Sequence, residues 1–171
     1  LFTVHQVREK TYFELPFNLL GDEFLIISRI SGFVKGLNFG GAGMKSRPQQ
    51  VIRFLRHQDQ VHMRSVSYNS VASEDDPVYR SVRNNNFEPV ISSFAIACFN
   101  PDSSALVIDV TDLFTKDVPM IGALSEDQRK EFQIGSLDTK RSFISQTRAF
   151  PENVEVRHVL TYSGKNLPDN G

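Results

Sequence analysis

The sequence has no tryptophan, a single cysteine and no long apolar run, and each shortage excludes a class of protein. With Cys98 alone, no internal disulfide can form, so the chain is not a disulfide-stapled scaffold. The apolar runs, such as Phe24–Ile27 and Ala105–Ile108, are short, and none approaches the ~18 residues that cross a bilayer. We therefore expect no membrane span in this chain. It also opens at Leu1 without a signal-peptide pattern, and we expect that it is trimmed from a longer precursor.

Net charge is close to zero, because 19 basic residues face 20 acidic residues for a formal charge of -1 at pH 7. A balanced chain creates no overall field that would draw it to nucleic acid or to an anionic membrane. The arginines are spread along the sequence with acidic residues between them, and no basic stripe alternates with aromatic residues. We expect no nucleic-acid partner.

Phenylalanine, in contrast, occurs 14 times, and short stretches of alternating apolar residues recur along the chain. Alternation with a period of two predicts strands that bury one face, and the short turns between them predict antiparallel pairing. The predicted fold is α+β and β-rich, with mainly antiparallel sheets of about eight or nine strands and a few short helices. In this interpretation residues 1–164 form a single domain and residues 165–171 form a linker toward a further domain. The predicted strands are Phe2–Val7, Thr11–Leu15, Glu23–Ile30, Gln50–Arg56, Val61–Val66, Val90–Phe99, Leu106–Val110, Ser142–Phe150 and Val154–Tyr162.

Two of these strands carry specific expectations. The apolar run inside Glu23–Ile30 predicts burial on both faces and therefore a central position in the sheet. In Val90–Phe99, strict alternation places Phe94, Ile96 and Cys98 on one inward face. Cys98 is then expected to be a small buried apolar side chain, not a nucleophile.

Helix signals are few and short. Asp76 followed by proline predicts a helix start, and the helix should end near Asn84–Asn86. Ser125 with Gln128 has the form of a capping box, which predicts a second short helix to Phe132. No helix is long enough to connect parallel strands as a repeated crossover.

The segment Gly32–Pro48 holds five glycines and little periodicity, and it predicts a long irregular loop. It does not match a phosphate-binding loop, because Met44 stands where the glycine before Lys45-Ser46 is required. The dinucleotide pattern also fails, since Ser46 occupies its last glycine position. We interpret the segment as a mobile or docked loop with no nucleotide.

The histidines give no metal motif. His57 and His62 lie five residues apart across an expected turn, and the sequence contains no His-Glu-x-x-His. His158 lies on the expected inward face of its strand, where we predict a hydrogen-bonded core histidine. We expect no metal site and no cofactor in this chain.

Carboxylates offer one further catalytic hypothesis, which we consider the weakest. Asp109 and Asp112 lie three residues apart after a buried strand, but Thr111 or Asp112 also fits a helix cap, and capping is the favoured interpretation. Were the chain a hydrolase, Asp109 and Glu88 would be the first carboxylates to test.

Several short segments, taken in order, carry a resemblance that no single motif gives. Its most specific parts are Val82–Pro89 (VRNNNFEP) and Val107–Phe114 (VIDVTDLF). Further parts are Phe2–His5, Tyr12–Pro16, Leu19–Leu25, Ser28–Gly32, Ser67–Tyr68, Lys140–Ile144 and Phe150–Val156. Over nearly its whole length the chain resembles the N-terminal accessory domain of bacterial zinc-dependent metalloproteases of the met-zincin type.

This resemblance implies a partner and a compartment. In that family the catalytic domain follows C-terminal to the accessory domain and carries an extended His-Glu-x-x-His motif, so zinc is expected there. The parent proteins are exported proteins of Bacteroidetes and related bacteria, which implies a periplasmic, outer-membrane-associated or extracellular location. The resemblance assigns no catalytic, metal or cofactor residue to this domain.

We therefore expect a non-catalytic domain that packs on, or assists, a downstream metalloprotease domain of the same chain. The alternative is a module that binds a peptide or a glycan. A peptide would add a strand to an exposed sheet edge, and a glycan would contact surface aromatics such as Phe33, Phe39 or Tyr68. The expected docking surface consists of Gly36, Gly40, Gly41, Gly43, Arg83, Asn85 and Glu88.

Overall fold

The computed structural model describes residues 1–34, 42–68 and 75–164, except for the side chains of residues 82–84. Within these ranges the chain forms eleven strands, three short α-helices and two 3₁₀ turns. The strands are β1 (Thr3–Val7), β2 (Lys10–Pro16), β3 (Glu23–Ile26), β4 (Gln50–His57), β5 (Gln60–Val66), β6 (Val90–Phe99), β7 (Ala105–Asp109), β8 (Ile134–Leu137), β9 (Phe143–Ala149), β10 (Val154–Val159) and β11 (Tyr162–Gly164). The helices are α1 (Tyr79–Asn85), α2 (Thr111–Thr115) and α3 (Glu126–Glu131), and the 3₁₀ turns are Phe17–Leu19 and Thr139–Arg141.

The β-rich, mainly antiparallel fold predicted from the sequence is confirmed, but the predicted number of strands is too low. The two additional strands are β8 and β11, which pair with each other. They contain four and three residues. Segments this short show no alternation long enough to be recognised.

Seven strands form one antiparallel sheet in the order β1-β2-β7-β6-β5-β4-β3. The sheet curls, so its two ends approach each other: the rings of Phe2, next to β1, and Phe24, in β3, lie 6.2 Å apart. The core fills the concave side of this sheet. Its buried residues are Phe13, Leu15, Ile52, Phe54, Val61, Met63, Phe94, Leu106, Ile108, Val110, Leu113, Met120 and Ile121.

The position predicted for the strand at Glu23–Ile30 is wrong. The strand ends at Ile26 and lies at the edge of the sheet, where it pairs with β4 alone. Leu25 is 58% exposed on the outer face, and Ile27 is exposed as well. A run of four apolar residues does not specify whether both faces are covered, because the covering layer comes from elsewhere in the chain.

Part of the expected loop Gly32–Pro48 is paired. The N–H of Ile30 donates to the carbonyl of Met44 at 2.9 Å, and the N–H of Gly43 donates to the carbonyl of Ile30 at 2.6 Å. Gly43 has a φ of +89°, a conformation that glycine adopts without strain. Residues 35–41 of the expected loop lie outside the described residues.

Cys98 does not face the core, which corrects the expectation for β6. Ile96 pairs with Ile108, and Cys98 pairs with the adjacent Val107, so β6 advances by two residues while β7 advances by one. This bulge shifts the alternation by one position. The thiol is therefore exposed.

The capping box is confirmed: Ser125 accepts from the N–H of Gln128, and the Gln128 side chain accepts from the N–H of Ser125. The first helix ends at Asn85 as expected but begins at Tyr79, later than predicted. Asp76 instead accepts from the N–H of Val78 at 3.0 Å in a local turn. None of the helices among the described residues combines the length and apolar character needed to cross a bilayer.

A smaller layer packs on the sheet beside α2, which contacts β2, β9 and β10. The predicted hydrogen bond of His158 is confirmed, because its Nδ1 lies 2.6 Å from the carbonyl oxygen of Phe114. Burial of this half-buried imidazole lowers its pKa and outweighs the opposing effect of that hydrogen bond. The expected linker, residues 165–171, lies outside the described residues.

Candidate functional site

Charged side chains meet on the outer face of the sheet where β3, β4 and β5 run side by side. Glu23 pairs with Arg53, and Arg53 pairs with Arg64 on the next strand. The adjacent residues Phe54 and Met63 are buried in the core. Because side chains alternate along a strand, the three charged side chains point outward in one row.

The segment before β6 adds a second carboxylate and an aromatic ring to this row. The N–H of Ser65 donates to the carbonyl of Pro89 at 3.0 Å, which holds the segment beside β5. Phe87 is 70% exposed there, whereas Glu88 is half-buried. We call the set the outer-face cluster; it consists of Glu23, Arg53, Arg64, Tyr68, Phe87 and Glu88.

Arg53 is the centre of the outer-face cluster. Its Nη2 lies 2.8 Å from Oε1 of Glu23, and its Nε lies 3.1 Å from Oε1 of Glu88. The second contact is an ion pair without hydrogen-bond alignment, since the buried Nε has no hydrogen-bond acceptor among the described residues. Nη1 donates to the carbonyl of Gly21 at 3.4 Å. One half-buried guanidinium thus holds two carboxylates from distant parts of the chain.

Tyr68 lies at the end of the row that Glu23 occupies, in contact with the Glu23 carboxylate. Its hydroxyl donates to Oε2 of Glu23. This hydrogen bond raises the pKa of the Tyr68 phenol, because ionisation would place a second negative charge against the carboxylate. The remaining surface of the Tyr68 side chain is exposed.

Arg64 differs from Arg53 although the two are paired. Its guanidinium lies over the ring of Phe87, with 5.0 Å between Cζ and the ring centroid. Its Nε is buried, and no acceptor or carboxylate binds the guanidinium anywhere in the part of the chain that the structure describes. The adjacent outward residue, His62, also has a buried Nδ1 without a partner in that part. The cluster therefore contains one guanidinium that contacts two carboxylates and one that contacts none among the described residues.

This arrangement suits recognition of another surface. Arginine stacked on an exposed aromatic ring combines a planar hydrogen-bond donor with apolar area, and both residue types are enriched at protein interfaces. The neighbouring apolar residues Leu25 and Val90 are exposed on the same side of the sheet.

Of the residues predicted for a docking surface, Glu88 lies in the outer-face cluster. Gly43 lies in the paired turn described above, where its carbonyl accepts from Arg29 at 2.9 Å. Asn85 donates to Ser81 within α1 at 3.4 Å. Gly36, Gly40 and Gly41 lie outside the described residues, as does the side chain of Arg83.

Sequence reasoning missed the two arginines and Glu23 as members of a site. In the sequence, Arg53 and Arg64 are two of the arginines that are spread along the chain with acidic residues between them. The available signal was their position: each is a charged residue that follows a buried apolar residue of a predicted strand, Ile52 before Arg53 and Met63 before Arg64. Only the strand register places Glu23 and the two arginines in one row.

The carboxylates of the hydrolase hypothesis have separate partners. Asp109 accepts from Lys10 at 2.9 Å and from the Thr111 hydroxyl at 2.6 Å, while Asp112 pairs with Lys116 at 2.7 Å. Burial alone would raise the pKa of Asp109, but hydrogen bonds from Thr111 and Lys10 together outweigh it and lower that pKa. Contrary to the cap expected from Thr111 or Asp112, no side chain caps α2 directly.

Two histidines that are five residues apart in sequence do come together. The rings of His57 and His62 stack with their centroids 5.4 Å apart. Across residues 1–34, 42–68 and 75–164, no three His, Cys, Asp or Glu side chains lie close enough together to hold a metal ion.

Comparison with protein families divides the chain into two matched segments. Residues 43–170 match a domain of unknown function, DUF5117, and residues 1–33 match another, DUF5118. The chain belongs to the DUF5117 family. No curated protein and no solved structure matches it. Strands of the DUF5118 segment pair with strands of the DUF5117 segment, since β2 pairs with β7 and β3 pairs with β4. The outer-face cluster itself draws Glu23 from the first segment and its other members from the second.

Proposed function

We propose that the chain is a non-catalytic accessory domain that packs, through the outer-face cluster, on the catalytic domain of an exported zinc-dependent metalloprotease in the same polypeptide. The observation that carries the docking role is the Arg64–Phe87 pair. An aromatic ring that is 70% exposed is costly to leave in water, and it is placed against a guanidinium that lacks an acceptor among the described residues. Such residues are the common anchors of protein interfaces.

The rest of the outer-face cluster is suited to burial against a partner. Covering a charge is costly when the charge is unpaired, but Arg53 already holds Glu23 and Glu88. Tyr68 likewise already donates to Glu23. A partner would thus cover a polar network that is largely satisfied beforehand.

The identity of the partner rests on the sequence resemblance to metalloprotease accessory domains. The zinc ion of the metalloprotease would be held by the catalytic domain, and this chain would bind no cofactor. The ionised state of Asp109, which Lys10 and Thr111 stabilise, is consistent with a structural role for that carboxylate.

The test is association between this chain and the downstream catalytic domain, produced as separate polypeptides and measured by isothermal titration calorimetry. We expect a saturable complex that Phe87→Ala weakens by about tenfold or more, as is common for interface anchors. The matched control is Phe143→Ala, since Phe143 is also exposed but lies on β9. Absence of a complex, or equal effects of the two substitutions, would contradict the proposal.

A second candidate function is binding of an extended peptide at the edge strand β3. It is favoured by the exposed Leu25, which would line a pocket beside an added strand. Leu25→Lys should then abolish capture of extended peptides from a peptide library, whereas Phe87→Ala should leave that capture unchanged. For a glycan, Phe33 and Tyr68 are exposed, and Phe39 lies outside the described residues.

A further inference from the structure

We infer that Arg64 binds a carboxylate group of a protein partner, as a docking point inside the outer-face cluster. This inference rests on the proposed docking function and names the chemistry that the partner presents: an aspartate or glutamate side chain beside an apolar residue.

The first argument is the division of charges inside the cluster. It contains two arginines and two glutamates, but Arg53 forms ion pairs with both glutamates. Arg64 lies directly opposite Arg53 and forms no ion pair within the described residues. The two positive and two negative charges cancel over the whole cluster, but both carboxylates contact Arg53. Arg64 is therefore the guanidinium of the cluster that has no ion-pair partner among the described residues, and it is the one that an incoming carboxylate can pair with.

The second argument is the fixed geometry of the donors. The ring of Phe87 lies 5.0 Å from Cζ of Arg64, and this stacking orients the guanidinium plane. A guanidinium presents parallel N–H groups whose spacing matches the two oxygens of a carboxylate. The Nε of Arg64 is buried and has no hydrogen-bond acceptor among the described residues, so an incoming carboxylate would bind the terminal Nη groups of the guanidinium.

The third argument concerns the source of the carboxylate. Phe87 and Val90 are exposed on either side of Glu88 in the segment that flanks Arg64. A small free anion would leave both apolar side chains in water, whereas a protein segment covers them while it delivers its carboxylate.

The experiment is a nuclear magnetic resonance titration of the whole 171-residue chain with an N-acetylated, C-amidated hexapeptide in which glutamate and leucine alternate. The readouts are the Nε–Hε signal of Arg64 and the ring signals of Phe87. We expect saturable shifts of both, an affinity about tenfold lower in Arg64→Gln, and an intermediate affinity in Arg64→Lys, which keeps the charge and loses the planar donors. The dispersion of the amide proton signals shows whether each variant is folded. If Arg64→Gln does not fold, the affinity of Arg64→Lys tests the inference instead.

The matched control is Arg56→Gln. Arg56 also lies over an aromatic ring, 5.3 Å from Phe99, but its Nε already donates to the carbonyl of Gln58 at 3.0 Å. This variant should bind the peptide as the wild type does. Unmoved Arg64 signals, or equal affinities of the wild type and Arg64→Gln, would overturn the inference. Inorganic phosphate that binds at Arg64 as tightly as the peptide would also overturn it, in favour of a site for free anions.

The two proposals fail separately. If the peptide does not bind at Arg64 but Phe87→Ala still disrupts the complex with the catalytic domain, only the carboxylate inference is wrong. If the peptide binds at Arg64 but the two domains do not associate, the docking function is wrong and the carboxylate site stands.

Discussion

Replacing Arg53 by methionine removes the cation that both carboxylates of the outer-face cluster share. At an effective dielectric constant near 20, each ion pair represents about 4 kcal/mol of gross attraction. Desolvation and lost side-chain freedom offset most of it, and exposed pairs contribute only about 0.2–1 kcal/mol net. The Arg53 side chain is 26% exposed, so its two pairs belong at the upper end of that range. We therefore expect the free energy of unfolding to fall by about 1–2 kcal/mol.

Urea denaturation followed by circular dichroism measures this loss, and the melting temperature should fall by roughly 3–6 °C for a domain of this size. The control is Lys116→Met, because the Lys116–Asp112 pair is mostly exposed and should contribute less than about 0.5 kcal/mol. Adding Glu88→Gln to Arg53→Met should recover part of the loss, since it removes an unpaired half-buried carboxylate. An Arg53→Met variant that is no less stable than Lys116→Met would refute the role of Arg53 as the centre of the cluster.

The core, the exposed thiol and the buried imidazole each give a further prediction. Met63→Ala should lower the free energy of unfolding by about 2–4 kcal/mol in a urea titration, because Met63 is fully buried. Met44→Ala, at an exposed position, should change it by less than about 0.5 kcal/mol. Equal effects of the two substitutions would be inconsistent with the core described. Cys98 should react with a maleimide in the native protein nearly as fast as in urea, and a thiol that reacts only in urea would contradict its outward position. Burial lowers the pKa of folded His158 below the unfolded value of 6.5, so its contribution to stability is complete above that pH and is lost as pH falls below it. His158→Gln should flatten this decline in unfolding free energies measured between pH 7 and pH 5, and an unchanged slope would count against the assignment.

Local sequence signals predicted the elements whose chemistry is contained within a few residues. The capping box of Ser125 and Gln128 specifies its helix start by itself, because both hydrogen bonds close within one turn. Likewise, alternation in Val61–Val66 predicted which side chains of β5 enter the core, and Val61 and Met63 are fully buried.

The sequence-based predictions were wrong where contacts between distant parts of the chain determine the position of a strand or a side chain. The apolar run of β3 did not indicate that β3 is an edge strand, which pairs with β4 on one side only in the described sheet. The bulge that turns Cys98 outward depends on how β6 aligns with β7, and alternation within one strand carries no information about that alignment.

The outer-face cluster likewise depends on contacts between distant parts of the chain. Its charged members come from positions 23, 53, 64 and 88, and only the pairing of three strands and the placement of one flanking segment bring them together. The sequence did single out Glu88 as part of an expected docking surface. It could not indicate that Arg53 would engage both carboxylates and leave Arg64 without one.

Side-chain footprinting with hydroxyl radicals offers the most direct test of docking through the outer-face cluster. Oxidation of Phe87 and Tyr68 would be compared between this chain alone and the longer polypeptide that carries the proposed catalytic domain, with the exposed Phe143 as internal reference. The docking proposal predicts that Phe87 and Tyr68 become protected in the longer polypeptide while Phe143 stays reactive. Phe87 and Tyr68 that oxidise equally fast in both would contradict it.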